Sequence, residues 1–225
     1  MMLEFENVTG IKGKFKLNNI NFSLPSGYIM GLAGANGAGK TTLIDYIMNE
    51  KKKYSGNIKI AGYDIRQNHG YMKQFIGFVS DENRFFEDRT PDQNMDMYSR
   101  FYTNYDREIY KQAMKDMGVS GGVTLSKLSR GERMKFQMAF AMGHKPVLYL
   151  LDEVTAGMDP VFRIDFFKLL HKVIEDESAS VLMTSHIESE MERKMDYLGI
   201  LENGKLIKFG ESMDIGEIVY GCNNL

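Results

Sequence analysis

The sequence predicts an α/β fold around a mostly parallel sheet, with an antiparallel β part towards its N-terminal end and a helical insertion. Three observations carry this prediction. Four apolar runs, YIMGLAG (28–34), IGFVSD (76–81), VLYLLDE (147–153) and SVLMTSH (180–186), are bounded by glycine, polar residues or acids, as strands buried on both faces are. Helical patterns lie between them, the arrangement that connects parallel strands. The runs LEFENV (3–8), FKLNNINFSL (15–24) and NIKIAG (57–62) alternate instead, as antiparallel strands do.

In chain order, YIMGLAG leads into TTLIDYIM (41–48), which is patterned as a helix. The stretch from about Asn83 to Leu125 is tyrosine-rich, charged and helical, with no strand-like run, and reads as the insertion. Thr90-Pro91-Asp92-Gln93 supplies an N-cap, a proline at the first helical position and a capping-box glutamine. Asp159-Pro160 opens a later helix, with Phe162, Phe166, Leu169, Leu170 and Val173 along one stripe. Ser185 with Glu188 offers another capping box. Asn203-Gly204, set between two β runs, is the strongest short hairpin signal. No repeat or low-complexity linker interrupts the chain, so residues 1–225 are expected to form one domain: a core from 1–82 and 126–225, with a helical subdomain from 83–125.

Composition narrows the function. Hydrophobic residues make up 43% of the chain, enough for a sizeable core, and 28 basic against 30 acidic residues leave no basic surplus to attract nucleic acid. The single cysteine, Cys222, permits neither a disulfide framework nor a cysteine-rich metal site, which fits a reducing cytoplasm. Glu4 and Glu6 stand where a signal peptide needs an apolar core. The longest buried-type run, VLYLL (147–151), is far short of the ~20 residues that span a bilayer. The chain is therefore expected to be soluble by itself and to meet a membrane only through a partner. The methionines read as adaptable core packing. His69, His144 and His171 stand at no metal-ligand spacing and read as surface or packing residues.

The sharpest local signal is GLAGANGAGKTTL (31–43). Gly34, four residues, then Gly39-Lys40-Thr41 matches the phosphate-binding pattern G-x-x-x-x-G-K-[ST]. Asn36, Gly37, Ala38 and Gly39 offer backbone N–H groups with little side chain in the way, and the helix starting near Lys40 points its positive end at an anion. Lys40 supplies a charge for the β- and γ-phosphates, and Thr41 a hydroxyl for Mg²⁺. A strand before and a helix after are the context this chemistry needs. The stretch therefore predicts a nucleoside triphosphate site.

VLYLLDE ends in Asp152 and Glu153, acids at the carboxyl edge of a parallel sheet, where ligands bind. Asp152 is placed to hold Mg²⁺ directly or through water. Glu153, one residue on and pointing elsewhere, is placed to polarise an attacking water.

With these residues in hand, the chain resembles the ATP-binding-cassette (ABC) ATPases. LSRGE (128–132) is similar to their LSGGQ signature and lies about 15 residues before VLYLLDE; AGMD (156–159) looks like their D-loop. His186 follows VLMTS as the family's switch histidine follows its strand. The matching order runs from about Leu3 to Gly210, and the narrower resemblance is to bacterial ABC-2-type exporter ATPases.

The resemblance implies two chains packed head to tail around two ATP molecules, as a homodimer or a heterodimer with another ABC ATPase. Each ATP would meet Lys40, Thr41, Thr42, Asp152, Glu153 and His186 of one chain and Ser129 and Gly131 of the other. It also implies a multi-span membrane permease as partner, docked on the helical insertion, which would hold the protein at the inner face of the cell membrane. Phe85, Phe86, Tyr98, Phe101, Tyr102 and Tyr105 are its candidate contacts, or else the insertion's own small core.

The chain departs from the family pattern in several places. Arg130 replaces a small residue, either adding positive potential near the partner's phosphate or pointing to solvent. Glu132 replaces a glutamine, and Val154 a proline. Asp81 stands where the family has a Mg²⁺-serving glutamine; an acid still serves Mg²⁺ through water, with different charge and reach. For adenine stacking, Ile11 falls near the family position and Phe15 is the nearby aromatic, or a strand packing residue. Two other readings fit less well. A P-loop kinase of small molecules would leave LSRGE, AGMD and His186 unexplained. A non-transport ABC switch usually carries two cassettes or a long coiled coil, and this chain has neither.

Overall fold

The computed structural model describes residues 1–49, 53–82, 84–155, 158, 160–177, 179–185 and 194–212. Two sheets organise them. The N-terminal sheet is antiparallel, in the order β2 (Phe15–Leu24), β1 (Leu3–Lys12), β4 (Tyr54–Ile60), β5 (Tyr63–Asp64). Its strands show the predicted alternation, with Leu3, Phe5, Leu17 and Ile20 turned inward. The larger sheet runs β10 (Lys205–Glu211), β9 (Tyr197–Glu202), β3 (Ile29–Ala33), β8 (Ser180–Ser185), β7 (Leu148–Asp152), β6 (Ile76–Ser80). All its pairings are parallel except β9 with β10.

Every residue of β3, β7 and β8 is buried, which explains their near-continuous apolar sequence. Their side chains alternate between two cores. Leu148, Leu150 and Leu182 face the antiparallel sheet and α1 (Lys40–Met48). Tyr149, Leu151 and Val181 face α6 (Pro160–Glu177) through Phe166, Leu170 and Val173. The side chain of Phe162 lies outside the described residues. The buried serine at the start of β8 is satisfied locally: Ser180 Oγ donates to the Pro25 carbonyl at 3.1 Å and accepts from Gly27 N–H at 2.9 Å.

Between β6 and β7 the chain is helical. α2 (His69–Met72) precedes β6, while α3 (Pro91–Tyr98), α4 (Arg107–Asp116) and α5 (Arg130–Gly143) follow it. Thr90 and Gln93 form the predicted capping box, Gln93 N–H donating to Thr90 Oγ1 at 3.2 Å and Thr90 N–H to Gln93 Oε1 at 3.1 Å. α5 bridges two cores: Met134, Met138 and Ala141 join the large sheet's core, and Phe136, Ala139 and Phe140 join a third with Met95 and Tyr110. Phe85, Tyr98, Tyr102 and Tyr105 pack against that third core, whereas Phe86 and Phe101 are exposed. Among the histidines, His69 is buried with Nε2 2.9 Å from the Ile47 carbonyl. His144 stacks on Tyr102, and burial pushes its pKa down to about 4. Both are packing residues, while His171 is exposed.

Candidate functional site

Parallel register lines up the strand ends. Ala33 pairs with Ser185, Asp152 with Thr184, and Ser80 with Asp152. Three chemically useful segments therefore leave the same edge of the sheet: the loop from β3 into α1, the acids at the end of β7, with β8 between them, and Asp81 after β6. Neighbouring strands lie about 4.8 Å apart, so groups on adjacent ends can share one small ligand.

The loop after β3 turns on Gly39. Its φ of 114° lies in the left-handed region, and a Cβ there would fall 2.7 Å from Phe15 Cζ and 2.9 Å from Leu17 Cδ2. Only glycine meets both demands. Lys40 begins α1 with its side chain only 3% exposed. Its Nζ donates to the carbonyls of Gly34 at 2.7 Å and Ala35 at 3.3 Å, and lies 3.3 Å from Glu153 Oε1. A buried ammonium is thus pinned across the loop at the positive end of a helix, the combination that selects an anion. An open cavity of about 300 Å³ lies over it, lined by Asn36, Gly37, Gly39, Lys40, Thr41 and Thr42, with Phe15 and Glu153 at its sides. Ala38 is buried and its carbonyl accepts from Gly204 N–H at 3.0 Å. That bond ties the loop to the predicted β9–β10 hairpin, where Asn203 and Gly204 take φ of 47° and 76°.

Asp152 is held by two hydroxyls. Thr184 Oγ1 donates to its Oδ1 at 2.6 Å and Thr41 Oγ1 at 3.4 Å. Its pKa is raised, mainly by burial; the bonds from Thr184 and Thr41 act against this. Thr184 also accepts from the Glu153 N–H at 3.0 Å. It steadies Glu153 in a left-handed backbone conformation, φ 53°, which costs a non-glycine residue of order 1–3 kcal/mol and clusters at functional sites. Sequence reasoning missed Thr184; the signal was a polar residue inside a buried apolar strand. The hydroxyl of Thr41 and the poorly solvated carboxylate of Asp152 are hard oxygen donors that fit Mg²⁺. Among the described residues, no group of three or more His, Cys, Asp or Glu forms a metal cage by itself.

The signature segment forms the start of α5. Ser129 is its N-cap, with Glu132 N–H donating to Ser129 Oγ at 3.3 Å, and Ser129 N–H and Oγ donating to Glu132 Oε2 at 2.8 and 2.7 Å. This pairing holds the Glu132 pKa below its ordinary value, first through the Ser129 hydroxyl. Ser129 and Gly131 do not line the phosphate-loop cavity. Asp81 meets Arg130: its Oδ1 accepts from Nε at 2.5 Å. Ser80, beside it, is clamped by the buried Gln137, which accepts from Ser80 N–H at 3.1 Å and donates to its carbonyl at 2.9 Å. Sequence reasoning missed Gln137 too. Of the adenine candidates, Ile11 is 68% exposed and away from the cavity, whereas Phe15 lines it. Val154 is buried. His186, Ala156, Gly157, Asp159 and Glu188 lie outside the described residues.

Fold and site together define a P-loop nucleoside triphosphatase domain. The family model described as "ABC transporter" matches residues 17–156, and the chain belongs to that family. It is 32% identical over 220 residues to the linearmycin resistance ATP-binding protein LnrL of Bacillus subtilis (strain 168), covering 95% of this chain and 70% of that protein. It is 28% identical over 210 residues to the bacitracin transport ATP-binding protein BcrA of Bacillus licheniformis, covering 92% and 69%. A solved structure described as the ATP-binding subunit of an ABC transporter superposes with a TM-score of 0.86 at 22% identity, covering 100% of this chain and 95% of its own. The cbiO1 structure from Clostridium perfringens, described as part of the ABC transporter complex cbiONQ, gives 0.81 at 23%, covering 99% and 94%. At such identities the structures establish the fold.

Proposed function

We propose that this chain is the Mg²⁺-dependent ATP-hydrolysing subunit of a membrane ABC exporter. The observation that carries this reading is the convergence of Lys40, Thr41, Asp152 and Glu153 on one sheet edge beside an open cavity. Lys40 and the N–H groups of residues 36–42 bind the phosphates, Phe15 stacks on adenine, and Thr41 and Asp152 hold Mg²⁺. When bound, the ion neutralises charge on the β- and γ-phosphates. Glu153 orients the attacking water and accepts its proton. Its Oε1 lies 3.3 Å from Lys40 Nζ, which supports this role. His186 completes the γ-phosphate surroundings on the strength of the family resemblance.

Ser129 and Gly131 stand off the cavity, which supports their use on a second chain's ATP in a head-to-tail homodimer or heterodimer. A Cβ at Gly131 would meet nothing within 4 Å, so a phosphate can approach the start of α5. No described helix is long and apolar enough to cross a membrane. A multi-span permease supplies the pathway and holds this chain at the cytoplasmic face of the cell membrane. Exposed Phe86 and Phe101 on the helical part are its contacts. The names of LnrL and BcrA, a resistance and a transport protein, support an export role over a nucleic-acid role.

The test is Glu153→Gln, which keeps shape and loses the charge. ATP binding should persist while turnover falls by ~10²–10⁴-fold. Steady-state hydrolysis within a few-fold of the unmodified chain would remove Glu153 from the mechanism.

A further inference from the structure

Thr184 puts a hydroxyl inside β8, a strand buried along its whole length. Valine has the same branched shape and would continue the apolar run with no polar group to satisfy. Packing alone therefore gives no reason for the oxygen. The reason lies across the sheet. In register, Thr184 stands between Leu32 of β3 and Asp152 of β7, the strands that carry the phosphate loop and the acids.

One oxygen serves both acids. Its only proton goes to Asp152 Oδ1 at 2.6 Å, because the Glu153 N–H, 3.0 Å away, can only donate. The direction of both bonds is thus fixed. Thr41 Oγ1 lies 3.4 Å from the same carboxylate oxygen, so Thr184 is its closer partner. The Thr184 oxygen has little freedom of its own: a β-branched side chain is stiff at χ1, and this one is fully buried. On the other side, the bond grips the amide of Glu153, whose φ of 53° is unfavourable for a non-glycine residue. From that turn Glu153 Oε1 comes to 3.3 Å from Lys40 Nζ.

From this geometry we infer that Thr184 is a positioning residue for ATP hydrolysis. Its hydroxyl joins the Asp152 carboxylate to the Glu153 main chain through one atom, and so sets where the Glu153 carboxylate meets the attacking water. Thr184 does not line the phosphate-loop cavity; it acts through Glu153 and not by contact with the nucleotide. The inference rests on the role proposed for Glu153.

The experiment compares the unmodified full chain with Thr184→Val, Thr184→Ser, Glu153→Gln and the Thr184→Val, Glu153→Gln double variant. Equilibrium binding of a fluorescent, non-hydrolysable ATP analogue gives Kd. Single-turnover hydrolysis with the protein in excess gives the rate, and hydrogen exchange followed by NMR reads the Glu153 amide. Thr184→Val should lower the rate ~10–10²-fold, the cost of misplacing a catalytic group by about 1 Å, with Kd within about threefold. Thr184→Ser keeps both bonds and should hold the rate within about fivefold of the unmodified chain. Added to Glu153→Gln, Thr184→Val should change the residual rate by less than about twofold, because its effect passes through the lost carboxylate. The Glu153 amide should exchange slowly in the unmodified chain and faster in Thr184→Val. Should valine prevent folding, Thr184→Ala removes the hydroxyl with less bulk, and the amide of the unmodified chain is read without any variant. An unchanged rate, a loss confined to Kd, the same factor in both backgrounds, no rescue by serine, or rapid exchange of the Glu153 amide in the unmodified chain overturns the role of Thr184 alone. Hydrolysis by Glu153→Gln within a few-fold of the unmodified chain overturns the reading of Glu153 and the inference with it.

Discussion

Asp152 illustrates how a site residue burdens the fold that carries it. Burial raises its pKa, while hydrogen bonds from Thr184 and Thr41 act in the opposite direction. In the unfolded chain the group titrates near 3.9, so the folded state holds the proton more tightly. The penalty is absent below that ordinary value, grows as pH rises through the interval to the raised value, and is complete above it. Asp152→Asn keeps an acceptor for Thr184 and removes the charge. It should raise Tm at pH 7–8, by ~2–4 °C per kcal/mol recovered, and the gain should shrink towards pH 4. Thermal unfolding at both pH values checks this; an unchanged Tm at neutral pH would mean that Thr184 and Thr41 fully compensate the burial. A fold that grows more stable when the acid at this strand end is removed is sacrificing stability for function.

Elements were legible in the sequence wherever their causes are local. β3, β7 and β8 announced themselves because burial on both faces keeps them almost wholly apolar. The capping box at Thr90 and the Asn203-Gly204 hairpin depend on residues within three positions of each other. The phosphate loop was readable for the same reason: its glycines, lysine and threonines are contiguous. Strand order, the Thr184 bonds to Asp152 and Glu153, and the Gln137 clamp were not readable, because each joins residues far apart in the chain. Phe15 was undecided for a related reason. Its ring packs on the core and borders the phosphate loop at once, which alternation along β2 cannot express. The hairpin shows a local signal with a distant purpose. Gly204 accepts from Asn18 N–H at 2.8 Å and donates to Ala38, joining β2 to the phosphate loop. Its φ is 76°, and a Cβ would fall 1.9 Å from the Lys16 carbonyl. Gly204→Ala should therefore cost about 1–3 kcal/mol. It should also weaken ATP binding, measured by calorimetry beside Tm; loss of stability with full affinity would separate the hairpin from the loop.

At the scale of the whole molecule, the proposed head-to-tail arrangement makes its own prediction. Lys40→Ala and Ser129→Arg should each abolish hydrolysis in a homodimer, because both composite sites are broken. A mixed dimer has one site with both lesions and one with neither, so mixing the inactive proteins should restore activity up to one working site per mixed dimer. Recovery should rise with protein concentration. Crosslinked mixed dimers that trap no ATP at the intact site would refute the role of Ser129 on a second chain's ATP. The sheet topology has a further consequence, measured in time. β3 carries the phosphate loop, yet both its neighbours, β8 and β9, are encoded roughly 150 or more residues later. At ~5–20 residues per second of synthesis, that strand leaves the ribosome ~10–30 s before anything exists to pair with it. The first half of the polypeptide thus emerges with an apolar, glycine-rich segment waiting for its flanks. For that interval the nascent chain carries an unpaired apolar strand, the kind of surface that invites aggregation.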